Sequence, residues 1–439
     1  MQEMIKKSTL LTISFYIMAG IIFSNINGLV YAMYGIVAPF SIFILISSLI
    51  ITFYLFRYGK ITLPHHFFNM AIVGYLLIAG ISWCFFSHLH FRDVPYYRVF
   101  RKQIPAILLV YAFYKYTLYE GERNGLNNVL AFITAFMFLV TMTIPFGELI
   151  GLKNVIEYKA TTRESGVFSN PNKAGAHINY NLALVLFFIL NSRRWSWVFI
   201  GMLPLVLYST VVTFSKSAMV SALLIVLVFL FINLRGFYRL GGRRRKKLSF
   251  FLAMILVAGA ASGPIIVNFI QTLNKHQLAR ILQVGQIMSG QIDENTTTHR
   301  STLWGEGLEI IKNFPITGHG FGSFSKLPEG RLNVHNTYLM VLGEAGIFPF
   351  IALMIFVLML YYRCLFWIKD PNYQFLALAI CIITTVQVYG AANGGIKTSE
   401  TLGMTGILFA ILHLMKGKVV RSRKTKRGFL FLPFPSKRK

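Results

Sequence analysis

Apolar residues run along this chain in long blocks broken by short polar joints. LLTISFYIMAGIIF, FILISSLIITFYLF and VSALLIVLVFLFINL are representative. The blocks recur at lengths of about 17–25 residues, the length a helix needs to cross a bilayer. In lipid every backbone N–H and C=O must be satisfied within the segment, so such blocks are helices. Twelve spans are expected, at about 9–28, 36–56, 67–87, 103–118, 127–147, 174–191, 196–213, 217–234, 248–270, 337–361, 374–392 and 401–416. The expected fold is therefore all-α, a polytopic transmembrane bundle forming a single unit over residues 1–439. Lys6 and Lys7 followed by an apolar run imitate a signal peptide. The run is long and lacks a small-residue cleavage pattern, so it reads as the first span.

The polar joints alternate in charge. With the N-terminus in the cytoplasm, the segments 57–66, 119–126, 192–195, 235–247 and 362–373 and the basic tail 417–439 all face inward. They carry most of the Lys and Arg, including RGFYRLGGRRRKK and RSRKTKR, as the positive-inside rule requires. Both termini are then cytoplasmic. Two outer loops are too long to be turns. One covers about 148–173; the other, 271–336, is the large hydrophilic insertion, expected to lie in the periplasm. Within it, RSTLWGEGLEIIKNFP (300–315) has Leu303, Gly307, Leu308, Ile310 and Ile311 at helical spacing. This predicts a short amphipathic helix at the outer interface, followed by the glycine-rich turn PITGHGFGSF.

Composition agrees: 55% of residues are hydrophobic, which a soluble domain does not show. The net charge of +28 would point to nucleic acid in a soluble protein. Here it reads as a topology signal and an attraction to anionic lipid headgroups, with no nucleic-acid partner. Cys84, Cys364 and Cys381 are scattered in or beside apolar blocks, without disulfide or zinc spacing.

The basic residues on the outer side break the inside rule: Arg92, Arg98, Arg101, Lys102, Arg163, Lys216, Arg280, Arg300 and Arg331. The plain reading is solvated loop charge or headgroup contact. Lys216 is harder to dismiss. It sits between Ser215 and Ser217 where the chain turns back into the membrane, and a charge held there is costly unless paired or facing a wet cavity. The start of the next span also offers N–H groups that favour an anion. His335 stands just before another helix, whose positive end disfavours imidazolium, so it is either an interfacial hydrogen-bonder or a base. Gly346 lies eleven residues further on, about three helical turns, where glycine lets a neighbouring helix approach. On the outer side there is no H-E-x-x-H, Walker loop, D-x-D or paired-carboxylate pattern, which argues against a metal-dependent nucleotide-sugar glycosyltransferase. GHGFG is only superficially like a phosphate loop, and the two halves show no inverted repeat of the kind many transporters have.

Taken in order, RESGVFSNPNKAGAHIN, TFSKSA, Arg300 with Trp304 ahead of NFPITGHGFGSF, and His335–Asn336 with Gly346 resemble the O-antigen ligase / O-antigen polymerase superfamily. The resemblance covers about residues 150–350; before that the chain matches in hydropathy alone. It implies an inner-membrane glycosyltransferase of the C-type fold, with both metal and nucleotide cofactors absent. The donor would be a glycan on undecaprenyl diphosphate, used at the periplasmic face. The acceptor would be a sugar hydroxyl of lipid A–core for a ligase, or another repeat unit for a polymerase. It further implies His335 as the base, Arg300 with Arg163 and Arg280 as diphosphate-holding arginines, and Asn336, Gly346 and Trp304 as supporting residues. Many members carry Arg where this chain has Lys216, which keeps the charge but loses the bidentate fork. An oligosaccharyltransferase acting on protein, a transporter of lipid-linked glycan and a non-catalytic assembly partner remain the alternatives.

Overall fold

We describe the protein from a computed structural model. The described residues are 2–34, 40–58, 96–123, 126–147, 149, 164–168, 170–192, 194–237, 242–291, 300–320, 334–366, 373–393 and 398–424. Among them every regular element is a helix. In chain order these are α1 (Gln2–Phe23), α2 (Ile26–Tyr34), α3 (Phe40–Tyr58), α4 (Tyr96–Arg123), α5 (Leu126–Met142), α6 (Pro171–Asn191), α7 (Ser196–Val212) and α8 (Lys216–Arg235). There follow α9 (Gly242–Thr272), α10 (Lys275–Met288), α11 (Arg300–Asn313), α12 (Thr337–Ala345), α13 (Ile347–Phe366), α14 (Tyr373–Asn393) and α15 (Ser399–Lys424).

Helix α6 is the axis of the bundle and packs against α5, α7, α8, α9 and α14. Its start is set by Asn170, whose side chain accepts from Asn172 N at 2.7 Å, with Pro171 at the first helical position. A helix apolar on all sides belongs in a core, and α6 is buried over 94% of its membrane-length window. Its few polar side chains become pins, because a buried polar group without a partner is costly. Asn181 Nδ2 donates to Thr141 Oγ1 at 3.1 Å, and His177 Nε2 bonds Met137 O at 3.1 Å, both on α5. Asn179 Nδ2 donates to Ala218 O on α8, also at 3.1 Å. A second layer is built on the α4–α15 pair, where Gly406 lets α15 ride on the backbone of Val110 and Tyr114, and α1 joins by stacking Phe15 on Tyr116 at 3.8 Å.

Helices α6 and α8 start at the same end of the bundle, and α14 runs antiparallel to both. At one end of the α8–α14 pair Gln374 Nε2 donates to Asn233 Oδ1 at 2.8 Å. At the other, Thr385 and Tyr389 of α14 come beside Ser217 and Ser221 of α8. The first end also holds Arg243, Arg244, Arg245, Lys246 and Lys247 in the opening turns of α9, and Lys247 bonds the carbonyl of Ser192 beyond α6.

The all-helical expectation is met. Pro171–Asn191, Lys216–Arg235 and Gln374–Ala391 are long and apolar enough to cross a membrane, and shorter apolar helices such as Thr9–Phe23, Ser196–Val212 and Ile347–Tyr362 fall within other expected spans. The expected span at 67–87 lies outside the described residues. Among the described residues, two of the expected spans are interrupted. The first stops at Phe23, and the chain turns at Asn25, with φ 44°, into α2. The block expected at 337–361 is two helices, because Gly346 takes φ 86°, where a right-handed helix cannot continue. The large loop contributes two helices, α10 and α11; α11 matches the amphipathic helix read from the sequence.

Gly175 of α6 meets α8 so closely that a Cβ there would lie 2.3 Å from Ala218 Cβ. Gly175→Ala should destabilise the bundle by about 1–3 kcal/mol through overpacking. Gly201→Ala on α7, where a Cβ meets nothing within 4 Å, should be neutral or stabilising. Thermal unfolding of the two variants in detergent checks this; equal midpoints would remove the close contact.

Candidate functional site

The chain enters α8 through a tight polar turn. Thr213 Oγ1 donates to Thr210 O at 2.8 Å and accepts from Ser215 N at 3.2 Å, while Phe214 sits at φ 44°. Such a φ is uncommon for a bulky residue and marks strain held by its surroundings. Ser215 caps α8 by accepting from Ala218 N, and its hydroxyl donates to Asn172 Oδ1 at 2.8 Å. This fixes Lys216 as the first residue of α8. Its Nζ donates to Gln283 Oε1 at 3.1 Å, on α10. Arg280 is three residues before Gln283 on the same helix and therefore shares its face. Burial holds the Arg280 guanidinium below its usual pKa. Sequence reading placed Lys216 and Arg280 on separate segments; the fold brings their helices together.

His335 is set by a second group of contacts. Trp304 of α11 donates from Nε1 to Val334 O at 3.1 Å. Val334 is fully buried against Ile311, with Trp304, Ile310, Leu339, Met340 and Leu342 around them. Asn336 caps α12, its side-chain oxygen accepting from Tyr338 N at 2.9 Å and Leu339 N at 3.2 Å. Between these two anchors His335 takes φ 49°, a left-handed backbone that favours residues without a Cβ. Helix α12 packs in turn on α14, which also packs on α8. Helix α14 is thus a shared neighbour of the helix that follows His335 and of the helix that opens at Lys216.

Gly346 has a different role from the one expected. His335 lies outside α12 and Gly346 ends it, so the two are not related by helical turns. What approaches is the 315–320 turn. A Cβ on Gly346 would lie 2.0 Å from Ile316 O. Ile347 N donates to Pro315 O at 2.9 Å, His319 N to Gly343 O at 2.8 Å and Gly320 N to Glu344 O at 3.0 Å. The buried His319 ring donates from Nε2 to Ile310 O at 2.8 Å. These bonds strap α11 to α12. They also use the amides of His319 and Gly320, which removes two groups that a phosphate loop would need.

Arg300 opens α11, but its side chain, like the whole of Arg163, lies outside the described residues. Glu164, the next residue, donates its amide to Val212 O at 3.3 Å beside the turn into α8.

The structure also gathers polar residues from three helices. Asn172, Ala176 and Asn179 of α6, Ser217, Ala218 and Ser221 of α8, and Thr385 and Tyr389 of α14 line a cleft with room for about one water. Nearby, His177 Nδ1 lies 3.7 Å from Glu400 Oε1, and Tyr180 donates to Thr401 Oγ1 at 3.2 Å. Asn179 and Asn181 are polar residues inside an apolar block and so are visible in the sequence. Tyr389 and Glu400 are not, because they come from helices more than two hundred residues away in sequence.

Trp304→Phe should loosen the His335 segment by about 0.5–1.5 kcal/mol, the worth of one hydrogen bond. Asn336→Ala should cost about 1 kcal/mol by loss of the cap. Gly346→Ala should cost more than either, since it opposes both φ and the strap. Hydrogen exchange of the 334–346 amides ranks the three; a Gly346→Ala protein protected like the parent would discount the strap.

No curated protein matches the chain. Residues 201–354 match the family model described as O-Antigen ligase. That segment contains Lys216, Arg280, Arg300, Trp304, His335, Asn336 and Gly346. Proteins of this family are membrane glycosyltransferase-like enzymes, ligases or polymerases, that act on lipid-linked glycans and polysaccharide acceptors. Over residues 201–354 this helical membrane protein is therefore similar to the O-antigen ligase family.

Proposed function

We propose that the protein is an O-antigen ligase-type glycosyltransferase of about twelve spans in the bacterial inner membrane. It moves a glycan from undecaprenyl diphosphate to a sugar hydroxyl of lipid A–core. The observation that carries this reading is His335, held in a left-handed backbone between the Trp304–Val334 bond and the Asn336 cap. Residues kept in sparsely populated conformations by over-determined surroundings gather at active sites. The Lys216 end of α8, taken here as the site end, is opposite the basic opening of α9, and the positive-inside rule puts that basic end in the cytoplasm. The site end then faces the periplasm.

In this mechanism His335 takes the proton of the acceptor hydroxyl as its oxygen attacks the anomeric carbon of the donor sugar. The new C–O bond forms on the face opposite the diphosphate, the old C–O bond breaks, and configuration inverts. Undecaprenyl diphosphate leaves with the bonding pair. Lys216, Arg280, Arg300 and Arg163 stabilise the growing negative charge, work that preorganised cations can do in a water-poor site. The Gln283 amide positions the Lys216 ammonium without cancelling its charge. The same base and clamp serve a polymerase if the acceptor is another repeat unit, and the family match is equally compatible with that outcome.

Reconstitution with lipid-linked glycan and lipid A–core, read by gel shift, tests the reading. His335→Ala should slow transfer about 10²–10⁴-fold, the usual contribution of a general base; transfer at the parent rate removes the base. Arg300→Lys should lower kcat/KM, since lysine cannot offer the bidentate fork, and full activity in that variant removes the clamp at this position. Deletion in cells separates the two acceptors: a bare core identifies a ligase, and a core capped by a single repeat unit identifies a polymerase.

A further inference from the structure

A patch of positive charge lies at the end of the bundle where α6 finishes, and the fold assembles it from three elements. The turn from α6 into α7 is pinned by two bonds. Trp195 N donates to Ser192 Oγ at 3.0 Å, and Ser196 Oγ donates to Ser192 O at 3.3 Å. Lys247 of α9 donates to the same Ser192 carbonyl. Phe250, one turn further along α9, meets the Trp197 ring edge-on at 5.1 Å. Arg243, Lys246, Lys247 and Phe250 recur at three-to-four spacing, so they share one face of α9. That face is therefore laid along the α6–α7 turn, where exposed Arg194 adds another cation.

The surrounding chain supplies no negative charge to this patch. No Asp or Glu stands between Glu164 and Asp293, so helices α6 to α10 are without a carboxylate. The like charges act on one another. Burial, together with the Arg243 and Arg244 charges, holds the Lys247 ammonium below its usual pKa. Cations gathered on one face against their own repulsion call for an anion from outside the segment.

The aromatic residues say which kind of anion. Trp195 is 65% exposed and Trp197 66%. Indole rings are favoured at the border of a membrane, where the apolar ring meets lipid and the N–H stays in the polar layer. A soluble phosphate would use the cations and leave both rings in water. A phospholipid uses both features, since its phosphate sits directly above an apolar glycerol and acyl region. Basic pockets between spans at the cytoplasmic face bind such headgroups, and the positive-inside rule puts this end there.

We infer that the α6–α7 turn and the opening turns of α9 form a binding site for one anionic phospholipid, its phosphate held by Arg194, Arg243 and Lys246 and its glycerol region lying against Trp195 and Trp197. The site does not depend on the reaction proposed above, because binding is read without turnover. It is also more than the diffuse attraction of any basic loop, since it retains one lipid at one place.

The test measures lipid binding to the purified full-length protein in detergent micelles, with native mass spectrometry counting the bound molecules. The probes are phosphatidylglycerol, phosphatidylcholine and inorganic phosphate. The parent should retain one phosphatidylglycerol in preference to phosphatidylcholine. Arg243→Gln with Lys246→Gln should weaken that lipid about tenfold to thirtyfold, the worth of two cations at a membrane surface. Arg421→Gln with Arg423→Gln removes the same charge from the basic tail and should leave the affinity near the parent's. Equal weakening by the two pairs overturns the site, because the attraction would then be diffuse. Equal retention of phosphatidylcholine overturns it too. Displacement of the lipid by inorganic phosphate at equal concentration assigns the patch to a soluble anion instead. A second readout leaves every cation in place. The fluorescence that disappears in Trp195→Phe with Trp197→Phe belongs to these two rings. In the parent it should be quenched by brominated phosphatidylglycerol at lower concentration than by brominated phosphatidylcholine; identical quenching by the two lipids overturns the placement of the headgroup.

Discussion

The approach of α6 to α8 at Gly175 and Ala218 is the constraint on which the site depends. Lipid chains are as apolar as leucine, so helices in a membrane associate through close packing and internal hydrogen bonds rather than by hiding apolar surface from water. The missing side chain at Gly175 lets two helix starts lie side by side. Asn179 then reaches the carbonyl of Ala218, Ser215 reaches Asn172, and the turn carrying Lys216 is fixed in space. Because α6 is buried from Ala174 to Leu190, the polar residues of that stretch cannot turn toward solvent. They either bond a neighbouring helix or face the cleft.

A second constraint acts at His335. Helices α12 and α13 would be one apolar rod without Gly346. The break lets the chain fold back over the 315–320 turn, and the amides of that turn satisfy carbonyls left open at the end of α12. The same strap carries α11 with it, so Trp304 reaches the carbonyl immediately before His335. A loop segment far from the bundle in sequence thereby acquires the rigidity that a base needs. Glycine serves two opposed purposes in this protein: at Gly175 it permits continuous helices to touch, and at Gly346 it interrupts one.

Much of this was legible along the chain. The length and spacing of apolar blocks determine that the described elements are helices, because no other structure satisfies the backbone in lipid. The serine before Lys216 and the asparagine after His335 are capping residues in sequence and caps in the structure. The periodicity of 300–315 gave α11 nearly to the residue. The ordered motifs carried the superfamily, which the family match to residues 201–354 supports.

Other features lay beyond the sequence because they are relations between distant residues. Gly346 reads equally well as a packing glycine or a helix stop, and only the backbone of Ile316 and Gly318 pressed against it decides for the stop. GHGFG has the composition of an anion loop, but which partner its amides take is a tertiary matter, and here they take α12. The link from Lys216 to Gln283 spans 67 residues, and that from Tyr180 to Thr401 spans 221. Thr385 and Tyr389 gain their meaning from α14 lying antiparallel to α8. By itself the sequence determined that the apolar blocks are helical, since backbone hydrogen bonding is local. Only the tertiary structure decided which polar groups meet at one end of the bundle, since that depends on which helices touch.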